Sequence, residues 1–274
     1  MTSSKPPVRV VNPERTQVVI VGVGGTGGYV LQQVARLLYA LREQGRQSIP
    51  GVLLIDGDIV EEKNLLRQYF LRQDVGKKKA SVLAERYSRA YGLDIAAYPE
   101  YLTRETNLSA IGIAEGAVVV GAVDNGSTRR ILHDRLHEFH RVVYLDSGNS
   151  AVSIPDDPQH VDRYQLDKIR SSGWEGQVVV GVRVNGEDVL PFPGEILPDL
   201  IDEDQLPTEV SCGDVVVSNP QRLMTNLMAA TTLLMYLHTL LADGTLLHHR
   251  SFFEARRGWV RSEAAIDHLL EVSI

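Results

Sequence analysis

Apolar and polar positions alternate along the first half of the chain in two distinct ways. Short runs dominated by β-branched and aliphatic residues predict strands at 18–21, 52–55, 95–98, 117–122 and 142–145. Segments with apolar residues at helical spacing predict helices at 26–43, 79–90 and 127–140. Strands that alternate with helices are typical of a parallel sheet covered on both faces. The pattern therefore predicts a Rossmann-like, doubly wound α/β fold with a mostly parallel sheet.

The pattern changes after residue 150. Residues 151–175 are polar and contain prolines, which predicts an insertion or surface loop. Residues 177–184 alternate as a half-buried strand does, and they predict an antiparallel extension of the sheet toward the C terminus. The proline-bearing segment 185–211 predicts a long, mobile crossover loop, and the apolar segment 223–241 predicts a helix.

These elements divide the chain into a leader and one domain. We expect a loose leader at 1–16, because this stretch is polar and contains prolines. We expect the remaining residues, 17–274, to form a single domain with two halves, 17–150 and 151–274. The length is sufficient for a domain of this size with a substantial core.

Composition and charge exclude several classes of protein. The formal net charge of -7 gives no basis for binding nucleic acid. No apolar run approaches the roughly 20 residues of a membrane span, and the N-terminal stretch lacks the apolar core of a signal peptide, so we expect a cytoplasmic protein without a membrane segment. Cys212 is the single cysteine, which excludes an intrachain disulfide and a multi-cysteine zinc site.

The first predicted strand leads directly into a glycine-rich turn. Gly22, Gly24 and Gly27 match the pattern G-x-G-x-x-G, and Gly25 lies within it. Glycines in this pattern permit a tight turn, close approach of a phosphate and close helix–strand packing. Alone, the motif indicates a nucleotide-binding site. It fits the dinucleotide site of an NAD- or FAD-dependent oxidoreductase as well as it fits an ATP site.

Charged residues near the ends of the other predicted strands favour ATP. Asp58 follows the second strand and could accept hydrogen bonds from ribose hydroxyls, whereas Asp124 follows the fourth and could hold Mg²⁺ together with phosphates. Asn64 and Arg67 are three residues apart, and Lys79 begins a predicted helix. The two cations suit phosphate groups. Hydride transfer does not require such a set, whereas a reaction that stabilises extra phosphate charge does.

The spaced set resembles the ThiF/MoeB and ubiquitin-activating enzyme superfamily over roughly residues 17–240. After the glycine-rich turn, the matching motifs are Asp56-Gly57-Asp58 through Asn64-Leu65-Leu66-Arg67-Gln68, Val75-Gly76 with Lys79, Val123-Asp124-Asn125, and Ser147-Gly148-Asn149 followed by Gly176-Gln177-Val178. The short chain and the Lys77-Lys78-Lys79 run also resemble ThiF-like proteins of PRTRC gene clusters. Lys77 and Lys78 themselves are expected to be solvated.

The resemblance implies MgATP-dependent adenylation of the C-terminal glycine carboxylate of a ubiquitin-like or sulfur-carrier protein of the β-grasp type. The catalytic residues implied are Asn64, Arg67, Lys79, Asp124 and Cys212. The nucleotide-binding residues implied are Gly22, Gly24, Gly25, Gly27, Asp58 and Asn125, and Asp124 would be the Mg²⁺ ligand. In a ThiF-like adenylation domain spanning 17–274, residues 17–150 would be the nucleotide-binding half, and residues 151–274 would bind the carrier and contain the crossover loop.

The resemblance also implies a homodimer and a conjugating-enzyme-like partner. Cys212 corresponds to a cysteine that accepts the activated carboxylate as a thioester or acyl-disulfide, and the alternative for a lone cysteine is a small packed residue. The paired cysteines of zinc-binding relatives are missing, so no structural zinc is expected. Three other functions remain open: a non-adenylating nucleotide-binding assembly subunit, an NAD- or FAD-dependent oxidoreductase, and an enzyme that adenylates a small-molecule carboxylate, as cyclic-threonylcarbamoyl-type dehydratases do.

Overall fold

The computed structural model of the protein describes residues 8–153, 161–201 and 221–265. The strands in these ranges are β1 Val8–Arg9, β2 Val18–Val21, β3 Val52–Ile55, β4 Ile95–Tyr98, β5 Val118–Gly121, β6 Val142–Asn149, β7 Glu175–Val184, β8 Glu187–Leu190, β9 Thr245–Leu246, β10 His248–Glu254 and β11 Trp259–Ala264. The α-helices are α1 Gly27–Glu43, α2 Lys79–Tyr91, α3 Gly126–Leu136, α4 Arg163–Ser171, α5 Pro193–Ile196 and α6 Leu223–Asp243.

Five parallel strands form the centre of the main sheet, in the order β6-β5-β2-β3-β4. Every residue of β2, β3 and β5 is buried. Continuous aliphatic runs are expected for parallel strands, because helices cover both of their faces. The five predicted strands are all present, and the predicted mostly parallel sheet is confirmed.

The C-terminal side of the sheet is antiparallel, as predicted. Strand β7 pairs antiparallel with β6, and β10 and β11 continue the sheet beyond it. Strand β8 also pairs with β7. The prediction of a loop across residues 185–211 is therefore wrong for its first part, where β8, α5 and a 3-10 turn at Pro198–Ile201 form. Its later part lies outside the described residues.

Helices cover the two faces of the sheet, which confirms the doubly wound arrangement. Helices α1, α2 and α6 bury apolar side chains against one face, where Leu31, Leu83 and Leu237 belong to one core cluster. Helix α3 covers the other face through Ile131 and Leu132. Polar residues of such helices usually face outward, but Lys79 of α2, Arg129 of α3 and Asn226 of α6 are buried.

Two further predictions need correction. Residues 8–16 are not loose: β1 pairs with β9, and Val10 and Val11 are buried. The segment 151–175, predicted as a loop, contains α4, although none of the residues of this helix is buried. Its capping residue Asp162 accepts a hydrogen bond from the backbone N–H of Gln165, which explains how a polar segment without a buried face starts a helix. In residues 8–153, 161–201 and 221–265, no helix is long and apolar enough to cross a membrane.

The glycine-rich turn between β2 and α1 depends on two close backbone contacts. Gly22 has φ of 82°, a left-handed conformation that side chains disfavour. A Cβ atom on Gly27 would lie 1.8 Å from the carbonyl oxygen of Gly22. The short turn of residues 22–26 can therefore connect β2 to α1 in this way only if residue 27 has no side chain.

We predict that Gly27→Ala lowers the free energy of unfolding by roughly 1–3 kcal/mol, because the added methyl group overlaps the Gly22 carbonyl. Gly28→Ala is the matched control, since a Cβ there meets its nearest neighbour at 3.4 Å. This variant should be neutral or stabilising by up to about 1 kcal/mol, as expected for alanine in a helix. Urea unfolding of both variants measures the difference. Equal stability of the two variants would show that the close contact does not constrain the turn.

Candidate nucleotide-binding site

A cavity of about 450 Å³ lies at the carboxyl ends of the parallel strands. Ligands bind at this edge in open α/β sheets, where the strand order reverses. The predicted site residues that line it are Gly22, Gly24, Gly25, Asp58, Asn64, Arg67, Lys79, Asp124 and Asn125. Gly27 lies in the first turn of α1, behind the lining residues, and Cys212 lies outside the described residues. The strand-end pattern thus identified residues that come together in space.

The glycine-rich turn presents backbone N–H groups to the cavity. Within the described parts of the chain, the N–H groups of Gly24, Gly25 and Thr26 make no hydrogen bond, and all three residues line the cavity. The capping residue of α1, Thr26, makes no side-chain cap. Unsatisfied donors at the start of a helix attract anions, and the helix dipole adds to this attraction. The turn can therefore hold a phosphate.

Asp56 fixes the turn against the end of β3. Its carboxylate accepts hydrogen bonds from the backbone N–H of Val23 at 2.8 Å and from that of Asp58 at 2.9 Å. Burial raises the pKa of Asp56, and the negative charge of Asp58 also raises it. Asp56 thus holds the turn and the Asp58 backbone in one arrangement.

Asp58 is engaged by two donors. Lys79 Nζ lies 2.7 Å from Asp58 Oδ2, and the Tyr101 hydroxyl donates to Asp58 Oδ1 at 2.5 Å. Burial alone would raise the pKa of Asp58, but the positive charge and hydrogen bond of Lys79 hold it below its ordinary value. Burial and the bond to Asp58 raise the pKa of Tyr101. Each carboxylate oxygen keeps a second lone pair, so Asp58 can still accept bonds from ribose hydroxyls.

Lys78 is not merely solvated, which corrects the expectation from sequence. Its Nζ donates to the Gly57 carbonyl at 2.7 Å. Lys78 therefore stabilises the turn that follows β3, whereas the side chain of Lys79 reaches the cavity itself.

Asn64 and Arg67 have different roles in the geometry. Asn64 is 3% exposed, and its Oδ1 accepts a hydrogen bond from the Glu61 backbone N–H at 2.8 Å. This bond stabilises the 3-10 turn Glu62–Leu66, which Arg67 follows. Among the described residues, the Arg67 guanidinium has no hydrogen-bond or ion-pair partner, and it lines the cavity. Asn64 thus holds the turn, and Arg67 offers an uncommitted positive charge.

Asp124 and Asn125 also have different roles. Asn125 Oδ1 caps α3 by accepting a hydrogen bond from the Thr128 backbone N–H at 2.8 Å. Asp124 is exposed and forms no hydrogen bond or ion pair within the described ranges. Mg²⁺ is commonly bound through one or two carboxylates plus substrate phosphates. The free carboxylate of Asp124 therefore fits a Mg²⁺ ligand.

Asn226 is the main feature that sequence reasoning missed. It comes from α6, is fully buried, and its Oδ1 accepts a bond from Asn149 Nδ2 at 3.1 Å. Asn149 Nδ2 also lies 3.2 Å from Thr26 Oγ1. A Cβ on Gly25 would lie 2.3 Å from Asn226 Nδ2. An asparagine inside an otherwise apolar helix was the available signal, because buried polar side chains require partners.

The motifs Ser147-Gly148-Asn149 and Gly176-Gln177-Val178 are neighbours in the sheet. Gly148 pairs with Gln177, and Asn149 pairs with Gly176, across β6 and β7. Other lining residues that were not predicted are Thr26, Gln68, Tyr101, Ser147, Asn149 and Gln221. Gln68, Ser147 and Asn149 lie in the motifs that carry the resemblance but were assigned no role there, whereas the residue types of Thr26, Tyr101 and Gln221 are too common to stand out in one sequence.

We predict that Asp58→Asn makes stability less sensitive to acid. The folded-state pKa of Asp58 is lowered, so its contribution is present above the unfolded pKa of about 3.9 and is lost as the pH falls through the folded value. Between about pH 7 and about pH 3, wild type should therefore lose more free energy of unfolding than Asp58→Asn.

Asp94→Asn is the control, because Asp94 is an exposed carboxylate without an ion pair in the described structure. Denaturant unfolding at each pH measures the effect. Parallel pH profiles for wild type and Asp58→Asn would contradict the role of the Lys79 pair.

The fold and the cavity together define a Rossmann-like α/β protein with a candidate anion-binding site at the carboxyl edge of its sheet. The ThiF family model matches residues 12–253, and the chain belongs to the ThiF family. No curated protein sequence matches the chain.

Two proteins of known structure share the fold. PaaA aligns with a TM-score of 0.59 at 17% identity, covering 92% of this chain and 64% of that one. MccB of E. coli, solved with ATP and also with AMPCPP and MccA, aligns with a TM-score of 0.55 at 17% identity and the same coverage. The chain thus spans 64% of the length of these proteins.

Proposed function

We propose that this protein uses MgATP to adenylate a carboxylate. The observation that carries the proposal is that Arg67 and Asp124, both without a hydrogen-bond or ion-pair partner in the described structure, line the same cavity as the glycine-rich turn. An arginine and a carboxylate that are both uncommitted in the described structure can each bind a ligand that carries complementary charges. The triphosphate of ATP with its Mg²⁺ supplies both.

The lining residues suit ATP in the following arrangement. The N–H groups of Gly24, Gly25 and Thr26 would bind phosphate oxygens, and Asp58 would accept bonds from the ribose hydroxyls. Asp124 would hold Mg²⁺, which neutralises phosphate charge when bound. Support for ATP also comes from MccB, a protein of the same fold whose structure contains ATP.

In the proposed reaction a carboxylate oxygen of the acceptor attacks the α-phosphorus of ATP. A bond forms between that oxygen and the α-phosphorus, the bond from the α-phosphorus to the bridging oxygen breaks, and pyrophosphate leaves with the electron pair. The residues named need not form a covalent bond in this step. Arg67 and Lys79 would stabilise the charge that develops on the phosphate oxygens, so catalysis rests on positioning and electrostatics.

The acceptor we propose is the C-terminal glycine carboxylate of a small ubiquitin-like or sulfur-carrier protein. The motif resemblance supports this choice. The exposed apolar side chains of Leu223 and Met224 also support it, because they lie at the start of α6 beside Gln221 and Asn226, which line the cavity. Apolar surface next to the cavity suits a protein acceptor. Pyrophosphate exchange that requires a protein ending in glycine would support this acceptor, and exchange with a free small carboxylate would oppose it.

A homodimer remains part of the proposal. Most apolar side chains of α6 pack within the protomer, so its composition alone does not require a partner. Met235, in the middle of α6, is 41% exposed, and this leaves apolar surface that a second copy could cover. Sedimentation velocity tests this: a dimer at micromolar concentration supports the assignment, and a monomer contradicts it.

We predict that Arg67→Ala weakens binding of ATP with Mg²⁺ about 10- to 100-fold, since hydrogen bonds to charged groups contribute about 1.5–3 kcal/mol. Isothermal titration calorimetry measures the affinity. Arg89→Ala is the control, because Arg89 is exposed on α2 and pairs only with Glu85 within the described structure. Unchanged affinity in Arg67→Ala, or preferential binding of NAD by wild type, would refute the proposal. ATP binding without pyrophosphate exchange for any carboxylate would favour a non-adenylating assembly subunit.

Cys212 is proposed as the residue that accepts the activated carboxylate. We predict that a covalent link to the carrier, sensitive to reductant or hydroxylamine, forms in wild type and is lost in Cys212→Ala. Because Cys212 is the only cysteine in the chain, this variant removes every thiol. Gel electrophoresis with and without reductant detects the link. Its persistence in Cys212→Ala would show that Cys212 is not the acceptor.

A further inference from the structure

A buried ion pair lies directly beneath the cavity and belongs to none of the roles above. Arg129 of α3 donates from Nε to Asp146 Oδ1 of β6 at 3.0 Å. The Tyr144 hydroxyl donates to the other carboxylate oxygen of Asp146 at 2.9 Å. Exposure is 9% for Arg129 and 1% for Asp146 and Tyr144. Buried ion pairs contribute little net stability, because desolvation offsets their attraction. Their presence here calls for a role other than stability.

The guanidinium of Arg129 also binds the chain on both sides of the cavity. Its Nη2 donates to the Val123 carbonyl at 2.6 Å and to the Ser147 carbonyl at 3.1 Å. Val123 follows β5, and Ser147 lies near the end of the adjacent strand β6. Both residues line the cavity, whereas Arg129 does not. One side chain thus joins two strand ends that form part of the cavity wall.

The sequence leaves room for this arrangement at Gly121. This residue pairs with Asp146 across the two strands, and a Cβ on it would lie 2.5 Å from Asp146 Oδ2. Asp146 can therefore orient Arg129 only because Gly121 has no side chain. The planar fork of arginine is also required, since lysine could pair with the carboxylate but could not reach both carbonyls in fixed directions.

We propose that Arg129, oriented by Asp146 and Tyr144, is a positioning residue for Asp124. The peptide carbonyl that Arg129 holds belongs to Val123, the residue immediately before Asp124, and Asp124 itself has no hydrogen bond in the described structure that would fix it. Groups outside the direct contacts commonly set the affinity of a metal site, and their loss lowers it about 10- to 100-fold. This inference rests on the proposed function, because it assumes that Asp124 holds Mg²⁺ with ATP.

The test is a double-mutant cycle on the effect of Mg²⁺. The measured quantity is the ratio of the ATP dissociation constants in EDTA and in MgCl₂, by calorimetry on the purified full chain. Asp124→Asn should bring this ratio close to one. Arg129→Lys should lower the ratio about 10-fold or more, up to complete loss, and should have no further effect on it in the Asp124→Asn background.

Arg86→Lys is the matched control, because Arg86 also pairs with a buried carboxylate, that of Asp74, and neither residue lines the cavity. It should leave the ratio unchanged. If Arg129→Lys does not fold, Tyr144→Phe replaces it, since loss of the hydroxyl leaves Asp146 oriented by Arg129 alone without changing the charge, and a smaller decrease in the ratio is expected.

Three outcomes overturn the inference. One is a decrease in ATP affinity of Arg129→Lys that is equal with and without Mg²⁺, which indicates a purely structural role. Another is an unchanged ratio in both Arg129→Lys and Tyr144→Phe. The third is wild-type ATP binding that does not depend on Mg²⁺, which leaves ATP binding intact but removes the metal role of Asp124. Absence of ATP binding in wild type is a separate result, and it refutes the proposed function itself.

Discussion

The contact between Gly27 and the Gly22 carbonyl is the constraint on which the rest of the site depends. Because residue 27 has no Cβ, a turn of only residues 22–26 connects β2 to α1, and Gly24, Gly25 and Thr26 of this turn line the cavity at the carboxyl edge of the sheet. Asp56 then fixes this turn against β3 through the Val23 and Asp58 backbone. The candidate anion-binding site therefore arises from backbone geometry, to which the charged side chains are added.

The charged side chains around this edge are of two kinds, those already in an ion pair and those without one in the described structure. Lys79 and Asp58 pair with each other, which keeps both oriented at low cost in the absence of a ligand. Arg67 and Asp124 have no such partner in the described structure, so they can bind a ligand without breaking an existing ion pair. This division suits a site that binds a triphosphate with its metal, where preorganised donors contribute most.

The strands and site residues that could be predicted from sequence are those marked by aliphatic runs, glycines or charged residues. Uninterrupted aliphatic runs identified the parallel strands, and glycine and charged residues at strand ends identified Gly22, Asp58, Arg67 and Asp124. Asn226 could not be placed in this way, because it reaches the cavity from a helix about 200 residues further along the chain.

Other errors have a similar physical origin. The leader was predicted to be loose because most of its residues are polar. Val10 and Val11 are nevertheless buried, and their backbone N–H groups bond to the carbonyl of Gly244, far along the chain. The helix α4 was missed because it has no buried face to give a periodic pattern. The spacing of hydrophobic residues does not reveal contacts between residues far apart in sequence. It also does not reveal a helix that is stabilised mainly by capping.

The most direct test of the account is a crystal structure of the protein soaked with ATP and Mg²⁺. The account predicts phosphate oxygens against the N–H groups of Gly24, Gly25 and Thr26, the Arg67 guanidinium on the triphosphate, and Mg²⁺ on the Asp124 carboxylate. A nucleotide bound elsewhere, or one in this cavity that contacts neither Arg67 nor Asp124, would contradict it.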